Sequence, residues 1–163
     1  MALCIIGCGN VDRGDDAAGP LVARRLQRFG AQTPGVEIME QSGESFSLMD
    51  CWMGFEYVIL VDATAPSGMP GQVQMWNARA DKLPKDIFPC STHAFGAREA
   101  VELARAMNRL PPTLWIVGIE GKQFSLGTPL SPEVERAANS VAQQLQNSVR
   151  TTRDLSQTGP ERA

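Results

Sequence analysis

The 163 residues, 43% hydrophobic and 20% charged, suffice for one domain with one core. Fifteen basic residues against eighteen acidic ones leave a net charge of −3, which argues against nucleic acid or an anionic membrane as the partner, since both need a basic face. No apolar run approaches the roughly 18 residues of a membrane-spanning helix. The opening Met-Ala-Leu-Cys-Ile-Ile-Gly lacks a basic leader, so the expected location is the cytoplasm.

Short apolar runs alternate with amphipathic stretches along the chain. Leu3 to Ile6 forms an apolar run ending at Gly7 and reads as a buried strand. Leu21, Val22, Leu26 and Phe29 then recur at helical spacing, with Gly30 as a stop. Val36–Met39 reads as a second strand, 46–52 as a helix, and Tyr57–Val61 as the strongest strand, a β-branched apolar run. Residues 72–76 alternate like a half-exposed strand after a turn-rich loop. Ala100, Leu103, Ala104, Met107 and Leu110 trace a helix face, stopped by Pro111-Pro112, and Leu114–Val117 is a further strand. A last helix carries Val134, Ala138, Val141, Leu145 and Val149, with Ser131 as its N-cap and Pro132 at its first position. The pattern predicts a single α/β domain over residues 1–150, a mainly parallel sheet with helices on both faces, and a polar, disordered tail over 151–163.

In such sheets, ligands collect beyond the carboxyl ends of the strands, where strand order reverses. Three polar positions meet that rule. Asp15 and Asp16 follow the first strand, Asp62 directly follows the third, and His93 stands just before a helix. If strands one and three are neighbours, two carboxylates and an imidazole converge as a three-ligand site with open positions. Each residue also has a plainer reading. Asp15 is the better placed of the two to cap the first helix, Asp62 suits an Asx-turn ending a strand, and a lone histidine at a helix start suits a cap.

The glycine-rich loop is not a nucleotide fingerprint. Asp12 stands where the third glycine belongs, and Asp15 and Asp16 would repel a pyrophosphate. The four cysteines are too few and scattered for a disulfide framework, and Cys4 reads as buried packing. Cys90 and His93 lie three apart with Pro89 before them, an awkward arrangement for a nucleophile and its base.

These residues resemble the hydrogenase maturation proteases, endopeptidases that remove a C-terminal extension from the large subunit of [NiFe] hydrogenases. The resemblance runs through Ile6-Gly7-Cys8-Gly9-Asn10 with Gly14-Asp15-Asp16, then Val61-Asp62-Ala63, Ser91-Thr92-His93-Ala94-Phe95-Gly96, and Gly118-Ile119-Glu120-Gly121 with Leu130-Ser131-Pro132-Glu133. It implies a five-stranded twisted sheet in a three-layer sandwich. It further implies that Asp16, Asp62 and His93 are the catalytic and metal-contacting residues, with Gly9, Asn10 and Gly43 contacting substrate. The implied partner is a large-subunit precursor, and the implied metal is nickel carried by that precursor rather than held by the free protein. Many members carry Glu where this chain has Asp16, Phe46 replaces a second glycine, and Gln72 stands where threonine is usual. A non-catalytic metal-sensing chaperone would use the same three residues, and a stand-alone aspartic peptidase would cut metal-free substrate.

Overall fold

A computed structural model describes residues 2–85, 87 and 97–157, the last four by backbone alone. Five strands, β1 (Leu3–Cys8), β2 (Val36–Gln41), β3 (Tyr57–Thr64), β4 (Val73–Asn77) and β5 (Thr113–Glu120), form one sheet in the order β2-β1-β3-β5-β4. The first four strands of that order run parallel and β4 pairs antiparallel with β5. The mainly parallel expectation holds except at this edge. Its reason is chain length: residues 65–72 between β3 and β4 are too few for a crossover, so the chain must turn back.

Side chains on the strands alternate strictly between two cores. Leu3 and Ile5 of β1, Val61 and Ala63 of β3, and Val117 and Ile119 of β5 pack against α1 (Ala18–Ala31) and α4 (Pro132–Gln157). Cys4, Ile6 and Cys8, Val58 and Leu60, and Leu114 and Ile116 pack against α2 (Ser45–Trp52) and α3 (Ala97–Ala106). Strands buried on both faces explain why β1, β3 and β5 read as unbroken apolar runs. Among the described residues no helix is long and apolar enough to cross a membrane.

Several boundaries differ from the sequence reading. Gly30 lies inside α1 rather than ending it. A Cβ there would strike the Ile38 side chain, so glycine lets α1 lie close on β2. Helix α3 stops at Ala106, short of Leu110. Asn108 takes the left-handed conformation (φ 55°), its N–H donates to the Arg105 carbonyl at 3.2 Å, and the Arg109 N–H reaches back to Ala104 O at 2.7 Å. That double closure is a Schellman end with asparagine in glycine's place. Helix α4 continues through Gln157, past the residue-150 boundary of the expected tail. The Thr151 and Thr152 hydroxyls donate to the carbonyls of Asn147 and Ser148 one turn back, and the Arg153 guanidinium donates to the Pro34 carbonyl.

Candidate active site

Strand β1 lies between β2 and β3, and the chain leaves it first to one side and then to the other. Strand order therefore reverses at its carboxyl end, where the fold opens a crevice. Gly7, Gly9 and Gly19 shape that end. A Cβ on Gly19 would run into the carbonyls of Cys8 and Val61, and one on Gly7 into the Gly19 carbonyl, so α1 starts directly on the sheet. Gly9 has φ 144° and sits against the Asp16 carbonyl, leaving no room for a side chain. Its N–H donates to Gln41 O at 3.0 Å, which ties this turn to the end of β2.

The tight turn delivers Asp15 and Asp16 in a 3₁₀ segment, Gly14–Ala17, before α1. Their side chains go opposite ways. Asp15 has no exposed surface, and its carboxylate accepts from the N–H groups of Lys122, Gln123 and Ser131 at 2.7, 3.0 and 2.7 Å and from the Ser131 hydroxyl at 2.8 Å. It does not cap its own helix, as the sequence suggested. It pins the β5–α4 loop instead, and it engages the hydroxyl of Ser131, the residue expected to cap α4.

Asp16 faces the crevice. Its Oδ2 accepts the Asn10 N–H at 2.8 Å, and Asn10 itself is exposed, its Oδ1 holding the Asp12 N–H at 2.9 Å. Asp62 lies within β3 rather than after it, because the strand continues to Thr64 alongside β5. Strand β1 pairs with β3 only as far as Gly7 opposite Val61, so Asp62 is the first β3 residue beyond that paired stretch, level with Cys8 at the end of β1. Asp62 as a residue is 9% exposed, and its Oδ1 accepts the Ala63 N–H at 2.8 Å.

The electrostatics mark the pair as strained. Burial pushes the Asp62 carboxyl well above the usual carboxylate range, with the nearby Asp16 charge adding to the shift and the Ala63 N–H opposing it. Burial also raises Asp16, partly offset by the Asn10 N–H and the Arg13 charge. Beneath them the Cys8 thiol is buried, and burial together with the Asp62 and Asp16 charges drives it up, so it stays protonated. Asp62 therefore holds its proton longer than Asp16. Such a pair can pass a proton, or it can welcome a cation that relieves the repulsion.

His93, the third expected member, lies outside the described residues, as does Cys90. Among the described residues no three His, Cys, Asp or Glu side chains are grouped to hold a metal ion. Gly43 stands between β2 and α2 with φ 96° and open space where a Cβ would be. Beside it Glu44 caps α2, accepting the N–H groups of Phe46 and Ser47 at 3.0 and 2.9 Å. Two neighbours went unremarked in the sequence. Glu99, in the first turn of α3, is close enough to disfavour ionisation of Asp62, and the buried Cys8 thiol lies within reach of the Asp62 and Asp16 charges. An acidic residue in a helix's first turn is commonplace, so only the fold picks Glu99 out.

The family model of the HycI hydrogenase maturation proteases matches residues 20–148, a stretch that takes in Asp62 and His93 and begins just after Asp16. Protein FrxA of Pyrococcus furiosus is 35% identical over 128 residues, 76% of this chain and 88% of its own length. The crystal structure of the [NiFe] hydrogenase maturation protease HycI from Thermococcus kodakarensis KOD1 superposes with a TM-score of 0.68 at 25% identity, covering 90% of each chain. The fold of the hydrogenase maturating endopeptidase HybD from E. coli gives 0.71 at 20% identity, covering 93% and 94%. The chain belongs to the hydrogenase maturation protease family and is, as its members are, an endopeptidase.

Proposed function

We propose that this endopeptidase removes the C-terminal extension of a [NiFe] hydrogenase large-subunit precursor once nickel is in place, and that it recognises the nickel the precursor carries. The observation that carries this reading is the Asp16–Asp62 pair: two carboxylates at the strand-order switch, both held above their usual range by burial and, at Asp62, by mutual repulsion. A cation arriving on the substrate turns that repulsion into attraction. Asp16, Asp62 and His93 form the proposed metal-contacting and catalytic set, a hard or borderline donor set without thiolate that holds free nickel weakly. Thiolates on the precursor supply the rest. Gly9, Asn10 and Gly43 are the proposed substrate contacts, since all three lie in turns at this edge.

The surface supports a peptide substrate. Val11, Phe46, Met69 and Leu126 are exposed apolar side chains at 45, 57, 60 and 71%. They stand in the segments that follow β1, β2, β3 and β5, all at the edge that holds the two aspartates. A carboxylate that gives up its proton to the cation's field can activate water for attack on the scissile carbonyl.

The test is the intact mass of a nickel-loaded precursor before and after incubation, beside a nickel-free control. Loss of a defined C-terminal peptide from the loaded sample alone is the expected result. Binding without cleavage would point to the metal-sensing chaperone, and cleavage of both samples to a metal-independent aspartic peptidase.

A further inference from the structure

The connection from β3 to β4, residues 65–72, passes over the carboxyl end of β5, at the edge that holds the two aspartates. Backbone bonds close its two arms. The Gly121 N–H donates to Thr64 O at 2.9 Å, the Glu120 N–H to Gln72 O at 2.8 Å, and the Gly71 N–H to Glu120 O at 2.8 Å. Glu120, the last residue of β5, is 5% exposed, and its side chain reaches beyond this ladder. Its Oε1 accepts the Ser67 hydroxyl, and its Oε2 accepts the Met69 N–H at 2.6 Å. The two bonds fall on either side of Gly68 (φ 98°), in the middle of the connection. From the other side the Gln72 N–H donates to Met69 O at 3.0 Å. The backbone of Met69 is thus held at its N–H and its carbonyl, while its side chain stays 60% exposed. Holding a large apolar side chain still in water gains the fold nothing. It spares a bound partner the cost of ordering that side chain.

We propose that Glu120 is a positioning residue for the processing reaction: through Ser67 and the Met69 N–H it fixes the 65–72 connection so that Met69 receives an apolar side chain of the precursor. The inference rests on the reading of this edge as the one that binds the precursor, and it adds a specific contact to it. The connection starts directly after β3, two residues past Asp62 and Ala63, so a peptide laid across the aspartates along this edge runs onto it. The Glu120 carboxylate is occupied by the connection's own donors, and its effect is on binding rather than on the chemical step. An interaction made equally in the ground state and the transition state changes KM and leaves kcat as it was.

The test measures KM and kcat of the full chain on a nickel-loaded large-subunit precursor for wild type, Met69→Ser, Glu120→Gln and the double variant. Met69→Ser keeps the backbone N–H that Glu120 holds and removes only the exposed apolar side chain, so it should fold as the wild type does. Its KM should rise about tenfold at unchanged kcat, the scale of one lost apolar contact. Glu120→Gln retains one acceptor oxygen where the carboxylate had two, so it should also raise KM at unchanged kcat. The double variant should be no worse than Met69→Ser alone, because the contact that Glu120 places is already gone. Multiplying effects overturn the proposal, since Glu120 would then act by another route. So does an unchanged KM in Met69→Ser, or a Glu120→Gln loss that lies in kcat or only in the folded fraction seen in urea. If the wild type binds the precursor without cutting it, the processing reading falls while the same comparison, read as Kd, still decides the Met69 contact. A wild type that neither binds nor cuts overturns both.

Discussion

Asp15 and Asp16 are adjacent in the chain and chemically alike, yet their surroundings give them different tasks. Asp15 has both oxygens of its carboxylate engaged, Oδ2 by three donors and Oδ1 by one, all from the β5–α4 loop and the start of α4. Asp16 has one such donor and otherwise faces the crevice. Asp15→Ala would strand several buried donors, each unmet one worth roughly 1–3 kcal/mol, so a loss of about 3–5 kcal/mol is expected in urea unfolding. Asp16→Asn keeps the shape and can still accept the Asn10 N–H, so its unfolding midpoint should change little. Its precursor processing should fall by about 10²-fold or more, the scale of a lost acid–base group. If Asp16→Asn processes normally while folded, Asp16 is not in the site.

The contact of α1 with the sheet depends on one missing methyl group at Gly19, which lies over the end of β1 and the middle of β3 against the Cys8 and Val61 carbonyls. Gly19→Ala must lift the helix start or bend the strands, an overpacking strain of about 1–3 kcal/mol or more. The same shift moves Asp16, three residues earlier, away from Asp62. The variant should therefore lose stability in thermal melts and lose processing more than its remaining folded fraction explains. An unchanged melt would mean that the helix start can move freely. Elements of this kind were partly legible in the sequence. Strands β1, β3 and β5 declare themselves because burial on both faces demands unbroken apolar runs. The three candidate site residues were placed by the rule that loops at carboxyl ends carry function, and β1 does neighbour β3 as that rule required. What stayed hidden was tertiary. The true end of α3 rests on an asparagine in a glycine role, the length of β3 rests on its pairing with β5, and the Asp15 clamp joins groups more than a hundred residues apart. No local pattern encodes a partner at that distance.

Across the whole molecule the Asp16 and Asp62 carboxyls of the candidate site work against the fold, and the sign of that effect can be worked out. The Asp62 carboxyl titrates well above its ordinary 3.8 in the native protein, chiefly through burial, whereas the unfolded chain restores the ordinary value. Below that ordinary value both states hold the proton, and Asp62 imposes no penalty. As pH rises past it, the unfolded chain ionises while the native protein keeps its proton. The native state then binds more protons, and the unfolding free energy falls until the native carboxyl ionises as well. Asp62→Asn removes the charge and keeps a group able to accept the Ala63 N–H. Urea midpoints measured from about pH 4 to pH 8 should show the variant more stable than the wild type near neutrality, with the gap closing as the pH falls. Asp16→Asn should act in the same sense but more weakly, because the Asn10 N–H and the Arg13 charge already favour its ionised form. Superimposable profiles for wild type and Asp62→Asn would mean that another group compensates the charge. A variant that gains stability at neutral pH and loses processing would show the site holding, at the expense of the fold, a charge reserved for the cation its substrate brings.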